Sequence, residues 1–585
     1  MVRSSRRLSP AFLFAISAIP LTGYTNEDSA FVPVTDAMLA DPPAEDWLTW
    51  RRTNDAWGYS PLDQITTENV AKLEQVWTRP LRRGSQTATP LVYDGVMYMP
   101  NPNDLIQALD AETGDLIWEH ERETAEAARR MGGLLGSNNR NIAIYGNLII
   151  DTSVDLHLFA LDAETGKMVW ETPVLDFTKD RAIQGAGPII ANGKAVSGRS
   201  CLPYAGPHAC VIVALDALTG REVWRRRLIP APGEHGDESW GDMPFEARSH
   251  VGSWMVPSYD HELDLVFVGT SVTAPTPKFL LQGSDKEYLY HNSTLALDGD
   301  TGEIRWYYQH LVDHWDLDHP FERMLLDTAV APDSEDVPWI NPGIKPGETR
   351  KVMTGIPGKT ALIYTLDRET GEFLWARPTV EQNVVADIDG ATGKVTGEGD
   401  SIPTEMGQTL NICPSMHGGK DWEAGAYSPL TNTMYFPLRN ACMPTLITTD
   451  RDASHSYYAL NVGFELSPGK TDLGTVYAVS AETGATTWLY EQRASTTSVV
   501  ATGGGLLFFG DTGGGFMALD QENGAVLWRV ELGSPVTGFP ITYAVDGRQY
   551  VAVSTGFSAT TGSFLRMTPE IRPSFGNNLY VFALP

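Results

Sequence analysis

Seven times along the chain a short apolar run meets a polar turn and returns as a second run closed by tryptophan. The phrases are ALDAETGDLIW (108–118), ALDAETGKMVW (160–170), ALDALTGREVW (214–224), ALDGDTGEIRW (296–306), TLDRETGEFLW (365–375), AVSAETGATTW (478–488) and ALDQENGAVLW (518–528). Asp, Thr and Gly between two apolar runs predict a hairpin. Gly114, Gly166, Gly220, Gly302, Gly371, Gly484 and Gly524 supply the positive φ of its tight turn. The tryptophan follows four residues later every time, so it holds one fixed place in each unit.

Units of this kind predict small antiparallel sheets with a tryptophan packed between neighbours. Radial repetition of such sheets is a β-propeller. The strands RQYVAVST (548–555) and NNLYVFALP (577–585) are expected to join one near AKLEQVWTRP (71–80), closing the ring from both ends. The fold class predicted is therefore all-β, an eight-bladed propeller with tryptophan-docking repeats, formed by residues 40–585 as a single domain. Turn glycines lie from about 40 to over 110 residues apart, so some loops are long, and long loops on a regular scaffold carry sites.

Charge narrows the partners. With 73 acidic residues against 43 Lys and Arg, the formal net charge is −30. That excludes nucleic acid, whose phosphates need a basic footprint. It fits solubility, or a basic protein partner. Residues 1–25 read as a signal peptide: Arg3, Arg6 and Arg7 precede the apolar run AFLFAISAIPLTG (11–23). SRR at 5–7 faintly resembles a twin-arginine signal, so Sec and twin-arginine export both stay open. No later run of about 18 apolar residues is present to anchor the chain, and a soluble periplasmic protein is expected. In that oxidising compartment Cys201, Cys210, Cys413 and Cys442 suggest bridges 201–210 and 413–442. A zinc site from the four is the alternative, at spacings unlike those of zinc modules. There is no Cys-x-x-Cys-His for a c-type haem.

The stretch DHWDLDHPFE (313–322) gathers acids and histidines around one tryptophan. Those residue types suit a solvated charge cluster, a metal site or an acid–base group equally. The repeat phrases, together with WRRTNDAWGYSPLDQIT (50–66), WYYQHLVDHWDLDHPFE (306–322) and CPSMHGGKDWEAGAYSP (413–429), resemble the pyrroloquinoline quinone (PQQ) methanol and alcohol dehydrogenases from about residue 45 onward. The resemblance implies PQQ on the propeller axis, a calcium or lanthanide ion, a catalytic carboxylate and an external electron acceptor. GSNNRNIA (136–143) resembles a quinone-binding segment and points to Arg140; DTSVD (151–155) points to Thr152. GSWMVPSYD (252–260) places Trp254 under the ring, IPGKT (356–360) points to Lys359, and GGKDW (418–422) to Asp421 and Trp422. Asp316 matches the catalytic carboxylate, also a metal ligand, and Asp318 the additional ligand of lanthanide-using members.

The chain also departs from the pattern. The family's Glu segment corresponds to SGRSCLPYAGPHAC (197–210), which holds no carboxylate, and Ser271-Val272 stand where Asn is expected. Leu134-Leu135 replace the adjacent cysteines that cover the ring in that family. His314 and His319 read as local hydrogen-bonding residues, and Trp240 as a candidate for the substrate side. The resulting expectation is an exported PQQ-dependent dehydrogenase that oxidises an alcohol and passes electrons to a separate acceptor such as cytochrome c. The alternative is a propeller that has lost its cofactor and serves as a binding or scaffold protein.

Overall fold

Each repeat phrase becomes the last two strands of a sheet of four or five strands, antiparallel except where Tyr59–Ser60 pairs in parallel with Thr496–Thr502. In the first, Leu91–Tyr93, Val96–Asn101, Leu105–Asp110 and Leu116–Glu121 lie side by side in chain order. The computed structural model describes residues 31–130, 138–450 and 458–585. Pro33–Pro585 form one compact unit. The signal peptide and Leu134-Leu135 lie outside the described residues.

The phrase dictates its own geometry. Its aspartate caps the turn: Asp216 Oδ1 accepts from the Thr219 amide and hydroxyl, and Asp298 and Asp367 do the same for Thr301 and Thr370. The turn glycine is left-handed at every repeat, with φ between 67° and 77°. Across the hairpin the tryptophan faces a small residue, as in the pairs Ala108–Trp118, Ala214–Trp224 and Ala518–Trp528. A bulge follows immediately and turns the strand.

The indole reaches into the next sheet. Trp118, Trp170, Trp224, Trp306 and Trp488 donate their ring N–H to Ala163, Ala217, Gly299, Arg368 and Gln521, each in the following repeat, at 2.9–3.2 Å. Their rings cover the turn glycines of that repeat. The series begins at Trp77, which lies over Gly114. Trp77 belongs to Glu74–Pro80, which pairs with Asn578–Ala583. That strand continues to Arg548–Thr555 and Ile541–Val545, so the two ends of the chain share one sheet. At the other end of the series Trp528 packs edge-on against Phe582 of this same sheet, ring centroids 5.3 Å apart. The described residues thus form an all-β propeller, with short helices such as Thr561–Met567 outside the repeats. Among the described residues no helix is long and apolar enough to cross a membrane.

The longest interval, between Gly371 and Gly484, holds structure of its own. Val385–Ile388 pairs with Val395–Gly397, and Thr409–Ile412 joins Ala441–Ile447 and Leu460–Val462. Both expected bridges, Cys201–Cys210 and Cys413–Cys442, are formed; the four sulfurs therefore make no zinc site.

A Cβ added to Gly220 would lie 2.5 Å from the Trp170 ring, at a φ of +70°. Gly220→Ala combines a left-handed alanine with overpacking and is expected to cost roughly 2–4 kcal/mol. Denaturant unfolding measures it, and a variant of parental stability would contradict this role for the glycine.

Candidate active site

The strand Ile304–Gln309 ends shortly before Asp313, and the aspartate sets the loop that follows. Its two oxygens accept the backbone N–H groups of Trp315 and Leu317 at 2.7 and 2.6 Å. Trp315 is anchored in the core and donates its ring N–H to Ser401. Between these fixed points Asp316 adopts a φ of +69°, a conformation that a non-glycine residue holds only when its surroundings enforce it. Its carboxylate thereby enters a cavity of about 310 Å³ lined from most of the sheets.

Residues far apart in sequence converge there: Asn138, Arg140, His250, Trp254, Asp316, Asp318, Lys359, Asp421, Trp422 and Tyr458. Asp318 Oδ1 accepts the Val272 amide at 2.7 Å and Oδ2 the Trp254 indole N–H at 2.9 Å. The indole is thus held by a carboxylate on one edge, and Phe321 packs edge-on against it at 5.5 Å. The Arg140 guanidinium stands 5.5 Å from the Trp254 ring centroid and Lys359 Nζ 6.0 Å from it. Lys359 Nζ also lies 3.3 Å from Asp316 Oδ2 and 3.7 Å from Asp318 Oδ2, and donates to the Asp316 carbonyl at 3.0 Å. Tyr458 donates its hydroxyl to Asp316 Oδ1 at 3.2 Å.

Burial governs the protonation of these groups. It pushes the Asp316 carboxyl well above the usual range, against the pull of Lys359, and Asp318 and Asp313 push it further. Burial would lower the Lys359 ammonium, but the facing Asp316 and Asp318 outweigh it and hold the group above its ordinary value. Burial raises Asp421 to about 6, lowers Arg140 to about 10 and lowers His250 to about 4, leaving a neutral imidazole.

Most of the sequence-predicted residues meet in this one wall. Thr152 does not: it is buried at the end of Leu148–Thr152, outside the cavity lining, beside the buried Asp151. Trp240 is likewise in the core rather than on the substrate side, its N–H bonded to the Leu289 carbonyl. His314 accepts the Lys278 amide at 3.3 Å, while His319 lies 3.3 Å from the Thr360 hydroxyl and stacks on His310. Sequence reading missed Tyr458 and His250. Tyr458 comes from the long insertion, where no repeat or motif marks it. His250 has a left-handed φ of 69°, which no sequence pattern reveals.

The cavity suits a flat, anionic, hydrogen-bonding ligand. Trp254 offers a ring face, Arg140 and Lys359 offer cations, and several polar atoms of the wall lack partners: Asn138 Oδ1, Arg140 Nε, His250 Nδ1 and Asp421 Oδ1. Buried polar atoms are normally satisfied, so these await a ligand or water. PQQ, an aromatic quinone bearing carboxylates, fits that set. A hard cation does not. Among the described residues no group of three or more His, Cys, Asp or Glu is disposed to hold a metal ion. Asp316 and Asp318, the expected ligands, are paired with Lys359 instead.

Comparison with known proteins finds relatives among the PQQ dehydrogenases. Residues 47–393 and 470–551 match the β-propeller domain model of PQQ glucose, ethanol and alcohol dehydrogenases. The chain is 31% identical to the dehydrogenase subunit of alcohol dehydrogenase (quinone) from Komagataeibacter europaeus, over 94% of this chain and 77% of that one. It is 28% identical to the quinoprotein alcohol dehydrogenase PedH of Pseudomonas putida, covering 100% and 98%. Among solved structures, a europium-containing methanol dehydrogenase superposes with a TM-score of 0.83 at 26% identity, covering 94% of this chain and 99% of that one.

Asparagine at 318 would keep one acceptor oxygen and set an amide N–H against a donor. Asp318→Asn is expected to cost about 1.5–3 kcal/mol of stability, the scale of a hydrogen bond to a charged group. An unchanged denaturant midpoint would show that the carboxylate does not fix the indole.

Proposed function

This chain belongs to the glucose/ethanol/alcohol dehydrogenase family of PQQ β-propellers, and on that premise we propose that it oxidises an organic alcohol at the cavity holding Asp316. The observation that carries the reading is the placement of that carboxylate: it is forced into a left-handed turn beside a buried ammonium, in a cavity floored by an indole.

Trp254, Arg140, Lys359, Asn138, Asp421 and Trp422 hold PQQ in this reading. When bound, PQQ supplies an electrophilic quinone that takes up the carbinol hydrogen with two electrons. Asp316 is the base for the substrate hydroxyl. Its raised proton affinity makes it a stronger acceptor than an exposed aspartate, and a carboxylate within hydrogen-bonding reach suits this transfer. Tyr458 orients the acceptor by holding Oδ1, and Lys359 keeps the carboxylate charge compensated while offering N–H donors to a reducible oxygen. Asp318 keeps the Trp254 plane fixed, which orients a stacked ring and excludes water from one face.

The scaffold in this reading is an eight-bladed ring in which the tryptophans dock each blade on the next; the seven repeats plus the sheet shared by both chain ends support that number. Export to the periplasm is supported by the N-terminal pattern of the sequence and by the two disulfides. Electrons pass to a separate acceptor such as cytochrome c, and the net charge of −30 favours a basic one.

Dye-linked turnover over an alcohol panel, with PQQ binding followed separately by tryptophan quenching, tests the reading. Asp316→Asn is expected to bind PQQ but lose roughly 10²–10⁴-fold in turnover; undiminished turnover would remove Asp316 as the base. A base works only when deprotonated, and burial raises the pKa of this one. The kcat/KM of the parent should therefore decline on acidification well above the usual carboxylate range, near pH 4. An acid limb centred near pH 4 would contradict that environment.

A further inference from the structure

The corner of the cavity where the family's pattern calls for a metal ion is already furnished differently. Calcium requires six to eight oxygen donors; the carboxylates paired with Lys359 here are those of Asp316 and Asp318, with Asp421 on the same wall acting on that ammonium from farther off. Both oxygens of Asp318 are engaged, by the Val272 amide and the Trp254 indole. Asp316 Oδ1 is engaged by Tyr458, and Oδ2 faces Lys359.

The two segments that should contribute the remaining ligands have other duties. Residues 197–210 bring Ser200, Leu202 and Pro203 to the cavity wall, braced by the Cys201–Cys210 bridge, and contain no carboxylate. The Ser271 hydroxyl donates to the His250 carbonyl at 3.1 Å and accepts the Gly252 amide at 2.8 Å. Val272 has an apolar side chain, and its amide is spent on Asp318. What stands beside both carboxylates is an ammonium: Lys359 Nζ lies within 4 Å of each and is fixed by a third contact to the Asp316 carbonyl. A divalent or trivalent ion entering this corner would meet that like charge at close range, with no group of three acidic, His or Cys ligands among the described residues to compensate it.

We infer that this chain carries its cation covalently: the Lys359 ammonium, clasped by Asp316 and Asp318, takes the place of the metal ion, and the site binds and uses PQQ without calcium or a lanthanide. The inference rests on the reading of the cavity as a PQQ site. A fixed ammonium balances the carboxylates as a metal would, and it brings N–H donors that a metal lacks.

Protein stripped with chelator and titrated with PQQ in EDTA, in Ca²⁺ and in La³⁺ distinguishes the possibilities. Binding is followed by tryptophan quenching, metal by elemental analysis of the PQQ-loaded chain, and turnover by dye reduction. The expected result is one PQQ affinity in all three media, metal content far below one ion per chain, and turnover that survives EDTA. An ion sharing the site would couple to PQQ by roughly 5–150-fold. Tighter PQQ binding with Ca²⁺ or La³⁺ on that scale, or one retained ion per chain, overturns the inference and leaves the proposed activity standing. Failure to bind PQQ in every medium overturns both. Lys359→Ala adds a second arm: it leaves the Asp316 and Asp318 charges uncompensated with too few free donors to hold an ion, so PQQ should bind weakly in EDTA, Ca²⁺ and La³⁺ alike. Parental affinity of this variant in EDTA would refute the role of the ammonium.

Discussion

Everything else in this protein hangs on the contact between an indole and the turn of the following sheet. A four-stranded sheet has two faces and two edges, and alone it buries too little to be stable. The repeat solves this locally. An Asp–Thr–Gly turn leaves a glycine whose missing side chain makes a flat seat, and the tryptophan of the previous sheet fills it and bonds to a carbonyl of the same turn. Small residues opposite each indole keep its own hairpin from crowding. Because seat and filler are written in one phrase, duplication of the phrase duplicates the interface as well.

That economy leaves the inner loops free to diverge, and they carry an expense of another kind. Around the cavity stand Arg140, Asp316, Asp318, Lys359 and Asp421, all buried or nearly so. Close by, Lys420 and Glu322 are completely enclosed and paired at 2.6 Å. Buried ions are costly unless each has a partner and hydrogen bonds. The loops meet the requirement with an internally consistent set of pairs, Lys420 with Glu322, Arg439 with Glu423 and Lys359 with two aspartates. At the cavity, Asn138 Oδ1, Arg140 Nε, His250 Nδ1 and Asp421 Oδ1 are left for a ligand or water.

Sequence and structure part company at the kind of information each carries. The seven phrases announce strands and turns, because a hairpin needs particular residues at particular spacings, and three further apolar runs at the chain ends announce the sheet those ends share. The site was legible only where a phrase resembled a known one, as with Trp254, Lys359 and Asp316. Tyr458 and His250 left no trace. They reach the cavity through the path of irregular backbone, and a path of that kind is settled by packing rather than by residue type. Thr152 shows the converse: a motif in the expected place, with a side chain outside the cavity. The lack of a carboxylate in residues 197–210 and of Asn at Ser271-Val272 was visible in the letters, but what Lys359 does in their stead required the structure.

The sheet built from both chain ends has a consequence in time. Glu74 pairs with Ala583, so about 500 residues must be made before the strand Glu74–Pro80 finds its partner. At ordinary rates of synthesis that wait is roughly 25–100 s. An unpaired strand edge is a template for association with other chains. Glu74–Pro80 carries Glu74 and Arg79, ends in proline, and exposes most of its side chains even when folded. These are the features that keep a waiting edge from recruiting neighbours, so this strand is equipped for a long solitude before the ring closes over it.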